Sequence, residues 1–308
     1  MKLKLNNIPY IMKLRWYAVS LSLILVAASV YLWVVTPSNE KFGVDFIGGV
    51  EIIAGFENPV EVATVRSQLE NAGIQDPVIQ SFNSLEGDTR HLFSIRIKAE
   101  DREDFSKFIQ EALAAGLDNK VSMEKFDHVG PAIGEQIRRD AWWAIALSLI
   151  GITIYVGMRF EFRYAFGALV ALAHDVIIAI GACLLTGREM NAVILAGLLT
   201  IVGFSINDTI VIFDRVRENL VNNIKNKKNL ALGEVLDQSI NETMSRTIIT
   251  TLVCLFVVLS MYFIGGGALE DLAFVLLVGF VAGVYSTIFI AGTIVYWFDK
   301  FFNRKQAA

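Results

Sequence analysis

Cysteine and histidine are scarce in this chain. Its two cysteines, Cys183 and Cys254, lie in separate apolar runs far apart in sequence, which argues against a disulfide framework. The three histidines, His91, His128 and His174, are scattered without metal-ligand spacing, so no metal site is expected. A Gly-x4-Gly-Lys-Ser/Thr phosphate loop is missing, and Gly265-Gly266-Gly267 runs into Ala268 and Leu269 rather than lysine. Energy for any work therefore does not come from a nucleotide bound by this chain. Basic residues are not in excess either: 27 Lys and Arg stand against 31 Asp and Glu, which leaves no basic stripe for nucleic acid. No cofactor is expected, and nothing resembles a catalytic set.

What the chain has is apolar length. Hydrophobic residues make up 54% of it and the mean hydropathy is +0.52, too apolar for an ordinary soluble domain. Six segments approach or exceed the length needed to cross a bilayer, roughly 16–35, 141–158, 164–186, 190–213, 246–264 and 272–298. The first is too long for a signal-peptide core and is read as an uncleaved span. Lys2, Lys4, Lys13 and Arg15 precede it; Arg159 and Arg163 flank the turn after the second span. Arg215, Arg217, Lys225, Lys227 and Lys228 follow the fourth, and Lys300, Arg304 and Lys305 close the chain. The opposite loops carry only Arg188. This bias places both termini in the cytoplasm and residues 36–139 outside.

Within 36–139 the hydrophobic period shortens to two. GVEIIAGF (49–56), PVIQSF (77–82), HLFSIRIK (91–98) and VSMEKFDHV (121–129) read as strands, the middle two joined through Glu86-Gly87-Asp88. Residues 59–73 and 101–116 read as helices that Gly73 and Gly116 terminate. The order βαββαβ describes an α+β ferredoxin-like sandwich, its acids forming a solvated face. Two glycine-bearing stretches, around Gly48-Gly49 and Gly130-Pro131, join it to the membrane. They are either ordinary turns or a paired hinge.

Ionisable groups interrupt the spans. Asp175, beside His174, falls ~16 Å into the third span from Tyr164, and Asp208 lies ~8 Å before the Phe213 end of the fourth. Arg246 opens the fifth span, so Asp208 and Arg246 reach similar depths in antiparallel helices. An unpaired aspartate at mid-bilayer costs ~2.5–3.5 kcal/mol on insertion scales, so it faces a helix bundle or water. A carboxylate whose proton affinity changes as an arginine moves meets the physical requirement of a proton relay. The alternative is that these groups only accept hydrogen bonds and hold the bundle together. Asp214 is expected at the interface, with Arg215 or Arg217 as partner. Asn207-Asp208-Thr209 and Asn241-Glu242-Thr243 match the glycosylation pattern by chance. Gly279-x3-Gly283 suits close helix approach. The polar, amphipathic stretch 214–246 is expected along the cytoplasmic surface.

Five motifs in order carry a resemblance to a known family: VDFIGGVEI (44–52), RFEFR (159–163), ALVALAHDVII (168–178), FSINDTIVIFDRVREN (204–219) and TMSRTIITT (243–251). Together they resemble the SecF family, membrane subunits of bacterial protein export within the RND superfamily. The resemblance spans nearly the whole chain. It implies a six-helix SecDF-type bundle with one extracytoplasmic ferredoxin-like domain. It also implies work beside SecD and the SecYEG channel on an unfolded preprotein, after the motor SecA has begun transport. The bacterial inner membrane is the implied location, and the proton gradient the driving force, with sodium as the other candidate ion. Carried over by motif position, the proton relay is Asp208 and Arg246, with Asp175 as a third member and Asn207, Thr247 and His174 beside them. The resemblance also favours Gly48, Gly49, Gly130 and Pro131 as a hinge.

The expected organisation is a cytoplasmic N-terminus and first span (1–35), the extracytoplasmic domain with its hinges (36–139) and spans two to four (140–213). A cytoplasmic amphipathic loop (214–245), spans five and six (246–298) and a cytoplasmic tail (299–308) complete it. Two rivals stay open: a small-molecule or lipid exporter of the same superfamily, and a non-conducting scaffold for a translocon.

Overall fold

The computed structural model describes residues 11–74, 77–83, 91–98, 105–114 and 121–306. The expected Glu86-Gly87-Asp88 connection, residues 101–104 and Gly116 lie outside the described residues. Among the described residues, six helical segments are long and apolar enough to cross a membrane, so the chain is a multi-pass membrane protein. They are α1 (Ile11–Val35), α6 (Pro131–Arg159), α7 (Phe162–Leu185), α8 (Ala192–Lys225), α9 (Leu232–Ile264) and a broken last span. That last span comprises α10 (Gly267–Ser286), a π-helical turn over Thr287–Ala291, and α11 (Gly292–Gln306). α7 and the last span are mostly buried at the centre, whereas α1, α6 and α9 leave most of their surface open.

Small residues set how closely the central helices approach. α8 and α10 run parallel and meet every fourth residue, at Gly197 with Val275, Ile201 with Gly279, Ser205 with Gly283, and Thr209 with Thr287. A Cβ on Gly279 would overlap Ile201, so the Gly279-x3-Gly283 stripe is a packing face, as its spacing implies. Gly181 on α7 lies equally close to Ser29 on α1.

The α+β domain sits between α1 and α6. After the short helices α2 (Ser38–Lys41) and α3 (Val44–Ile47) come β1 (Gly49–Phe56), α4 (Val62–Asn71), β2 (Val78–Asn83), β3 (His91–Lys98), α5 (Phe105–Ala114) and β4 (Val121–Val129). The antiparallel sheet has the order β2-β3-β1-β4, the ferredoxin-like arrangement expected of βαββαβ. Val50, Ile52, Ala54 and Phe56 of β1 and Phe93, Ile95 and Ile97 of β3 face inward. They meet Val65 and Leu69 of α4 and Ile109 and Leu113 of α5 in a separate apolar core. Alternation along the strands supplies this core directly.

Two expectations need correction. Residues 214–246 do not form a separate surface segment. They continue α8 and α9, which close into one long antiparallel hairpin through residues 226–231. Asn223 grips that turn by accepting from Leu230 N and donating to Leu230 O, each at 3.0 Å. Asn219 donates across the hairpin to Ser239 Oγ at 3.0 Å and to Glu242 Oε2 at 2.8 Å. The amphipathic pattern was read correctly as helical, but its apolar face meets the partner arm rather than a membrane surface. α8 is 34 residues long, ~51 Å, well beyond the ~30 Å of a hydrocarbon core. The second correction is Asp214, whose partner is Arg159 at the end of α6, at 3.6 Å, and not a neighbour in sequence.

Candidate functional site

Asp175 occupies the middle of α7 and is fully buried. It lies over the α8–α10 crossing because the residues there are small. Ser205 of α8 donates to its Oδ2 at 2.7 Å and Ser286 of α10 donates to the same oxygen at 2.9 Å. Oδ1 lies 3.0 Å from His174 Nδ1. The other imidazole nitrogen, Nε2, is 3.1 Å from Ser22 Oγ on α1. Ser22 Oγ is 3.2 Å from the Tyr285 hydroxyl, which donates to Ala18 O at 2.6 Å. One unbroken polar chain thus joins four helices across an apolar bundle.

This chain has two self-consistent proton arrangements. With Nδ1–H donating to an ionised Asp175, Nε2 accepts from the Ser22 hydroxyl. With Nε2–H donating to Ser22, that hydroxyl turns to Tyr285, and a protonated Asp175 donates to Nδ1. The second arrangement holds one proton more than the first: uptake of a proton at Nε2 through Ser22, with transfer of the Nδ1 proton to Asp175, converts the first into the second without moving a helix.

Asp208 is placed differently. It is 5% exposed, and its Oδ2 is buried without a hydrogen-bond partner among the described residues. It sits ~24 Å along α8 from Ala192. The hairpin register pairs Arg215 with Glu242 (2.5 Å) and brings Val211 and Arg246 to one cleft. Thr247 and Thr251, buried on the adjoining helix α9, also have hydroxyls with no partner among the described residues. Buried polar groups left unpaired cost roughly 1–3 kcal/mol each, so these three on the α8–α9 pair are unusual for a helix core. Thr209, next to Asp208, shares a 2.9 Å hydroxyl contact with Thr287, the first residue of the π-helical turn. Turns of that kind gather at functional sites.

Arg246 is exposed on α9 and makes no ion pair with Asp208; it attracts the carboxylate across a gap. The two open onto a cleft of about 760 Å³ lined by Arg159, Asp214, Arg215, Arg217, Glu218 and Arg246 among others. The cleft lies at the end of the bundle opposite the α+β domain.

Of the residues singled out in the sequence, Asp208 and Arg246 come within electrostatic reach, with Thr247 next to Arg246 on α9, and Asp175 and His174 come together about one helix turn away through Ser205. Asn207 is exposed on α8, on another face from the buried Asp208. The glycines expected at a hinge also meet: Gly48, at φ +89°, packs on Pro131 and on Gly134, and neither Gly48 nor Gly134 has space for a Cβ. Gly49 pairs with Val129 in the sheet, so both strands leave the domain at one crossing. Ser22, Ser205, Ser286 and Tyr285 were not foreseen. Only the fourfold spacing of Ser205 and Thr209 hinted at a polar stripe on α8. The acids of the domain are not all solvated either: Glu51, on the face of β1 away from the domain core, is bonded to Arg96 at 3.0 Å.

Comparison with known proteins sets this geometry in a family. The family described as "Protein export membrane protein SecD/SecF, C-terminal" matches residues 109–301. A protein translocase subunit SecF from Desulfurispirillum indicum is 37% identical over 98% of this chain and 95% of its own length. The SecF of Pseudomonas aeruginosa is also 37% identical, over 97% of this chain and 94% of its own. Among solved structures, the crystal structure of SecDF from Thermus thermophilus, a translocon-associated membrane protein, superposes with a TM-score of 0.82 at 32% identity. It covers 97% of this chain, which spans only 40% of that longer chain.

Proposed function

Because this chain belongs to the SecF family of protein translocase subunits, we propose that it couples proton entry to a late stage of protein export, beside a separate SecD. This chain matches 40% of the SecDF chain it resembles, and a second subunit would supply the remaining 60% here. The open faces of α1, α6 and α9 provide the surface for it. Preproteins moving through SecYEG after SecA are the substrate, and the bacterial inner membrane is the location, with both termini in the cytoplasm.

The observation that carries the coupling is Asp208: a buried carboxylate with an oxygen left without a hydrogen bond and Arg246 just out of contact. A proton arriving from the far side neutralises Asp208 and releases the pull on Arg246. Asp175 and the His174–Ser22–Tyr285 chain hold a proton deeper in the bundle. Gly48, Gly49, Gly130 and Pro131 let the α+β domain turn in response. Each charge crossing 100 mV is worth about 2.3 kcal/mol, enough to bias a hinge. A purely structural role fits the carboxylate of Asp175, whose oxygens are all bonded, but not that of Asp208. The test is copurification of the tagged chain with a second six-span subunit, together with export in cells depleted of the native protein. Loss of both the partner and gradient-dependent export would contradict the reading for the intact chain.

A further inference from the structure

Arg96 stands two residues from the end of β3, yet it is 6% exposed and points out of its own domain. Its Nε is bonded to Glu51 on the neighbouring strand at 3.0 Å. Its two terminal nitrogens face the helix bundle: Nη1 lies 3.8 Å from Glu189 in the α7–α8 loop, and Nη2 lies 3.9 Å from Asp271 near the start of α10. Both acids are themselves buried, at 4% each. Arg188 completes the cluster, hydrogen-bonded to Glu270 at 2.6 Å and ion-paired with Asp271 at 3.2 Å. Burial would lower the basicity of the Arg96 guanidinium, but Glu51, Glu189 and Asp271 more than offset it and hold it charged.

The lengths differ in an informative way. Within the domain, Arg96 makes a true hydrogen bond. Across to the bundle it makes ion pairs too long to be hydrogen bonds. The guanidinium therefore belongs to the domain and is only electrostatically held by the bundle. Four acids surround two arginines, so the socket keeps its own partner, Arg188, when Arg96 leaves. The crossing of Gly48 with Pro131 lies at the same edge of the sheet, where Gly49 pairs with Lys98, two residues from Arg96.

We propose that Arg96 is an electrostatic latch that pins the α+β domain to the acidic socket of Glu189 and Asp271, and that its release frees the domain to turn about the Gly48–Pro131 crossing. This rests on the hinge reading above. The latch also has a mechanical route inward. α10 carries Asp271 at the socket and Ser286 at the Asp175 carboxylate, ~22 Å apart on one rigid helix. A shift of the domain pulls on the same helix that holds the buried polar chain.

The experiment is pulsed EPR on the full chain in lipid nanodiscs. Spin labels at Glu70, exposed on α4, and Phe263, 78% exposed near the end of α9, report the domain's orientation. Cys254→Ala removes the one thiol that is not buried. One variant is Arg96→Gln. The second, Glu189→Gln with Asp271→Asn, leaves the domain's own Arg96–Glu51 bond in place, so misfolding of the domain cannot imitate release. A third inserts two glycines after Gly130. The latch predicts one narrow distance in the unaltered protein and a second, distinct population in both latch variants. Unchanged distances in both, with a second population only in the glycine insertion, would overturn the latch and keep the hinge. Unchanged distances in all three would overturn both.

Discussion

Replacing Asp175 by leucine and by asparagine should give opposite results, and the structure sets the scale of each. Leucine removes the acceptor for three groups. Ser286 can fall back on Gly283 O at 3.1 Å, but Ser205 Oγ and His174 Nδ1 lose their partner. A buried polar group left unpaired costs about 1–3 kcal/mol, so Asp175→Leu should destabilise the bundle by roughly 2–6 kcal/mol. Asparagine keeps an oxygen for both serines and turns its amide towards Nδ1, which then accepts while Nε2–H donates to Ser22. Every bond survives, and the cost should stay below about 1.5 kcal/mol. Yet that variant fixes the second of the two proton arrangements. Equilibrium unfolding in mixed micelles measures the first difference, and gradient-dependent export measures the consequence of the second. Equal stability of the two variants would refute the hydrogen-bond accounting. Normal export by Asp175→Asn would reduce Asp175 to a structural acceptor.

Other expectations follow from packing and from the hairpin. Gly279→Ala should destabilise by about 1–3 kcal/mol by overpacking against Ile201, and in an Ile201→Ala background, itself destabilised by about 2–5 kcal/mol, the same change should cost little in the same unfolding assay. Phe213 is fully buried between Phe160 and Tyr164, with ring centroids 6.5 and 5.0 Å away, so Phe213→Ala should cost about 3–5 kcal/mol. Asn223→Ala removes both bonds to Leu230 and should speed proteolysis within 226–231, while leaving cleavage elsewhere unchanged.

What the sequence made legible depended on the range of the interaction. Strand alternation in GVEIIAGF and HLFSIRIK and the terminal glycine of the first domain helix are local signals, and they led directly to the observed sheet. The stripe of Gly279 and Gly283 is local as well, since one helix turn carries it. Helix ends on the far side were misjudged because polarity after Phe213 marks only the end of the apolar stretch. Whether the helix continues is decided by Asn219 and Asn223 meeting the other arm. Asp214 was assigned to its neighbours in sequence, but its partner Arg159 comes from another helix. The Asp175 cradle draws Ser22, Ser205, Ser286 and Tyr285 from three helices besides its own, and serine in an apolar span has no distinctive spacing. Arg96 was invisible for a similar reason: a lone arginine on a strand reads as solvated until a second surface covers it.

The most direct test of the coupling claim is Asp208→Asn, introduced into cells depleted of the native protein, with export of a secreted protein followed with and without a proton gradient. Membrane levels of the variant and its partner are measured alongside. A buried, unpaired coupling carboxylate predicts normal accumulation of the variant and loss of the gradient-dependent part of export. Full gradient-dependent export by a normally assembled variant would contradict it and leave Asp208 as a structural residue.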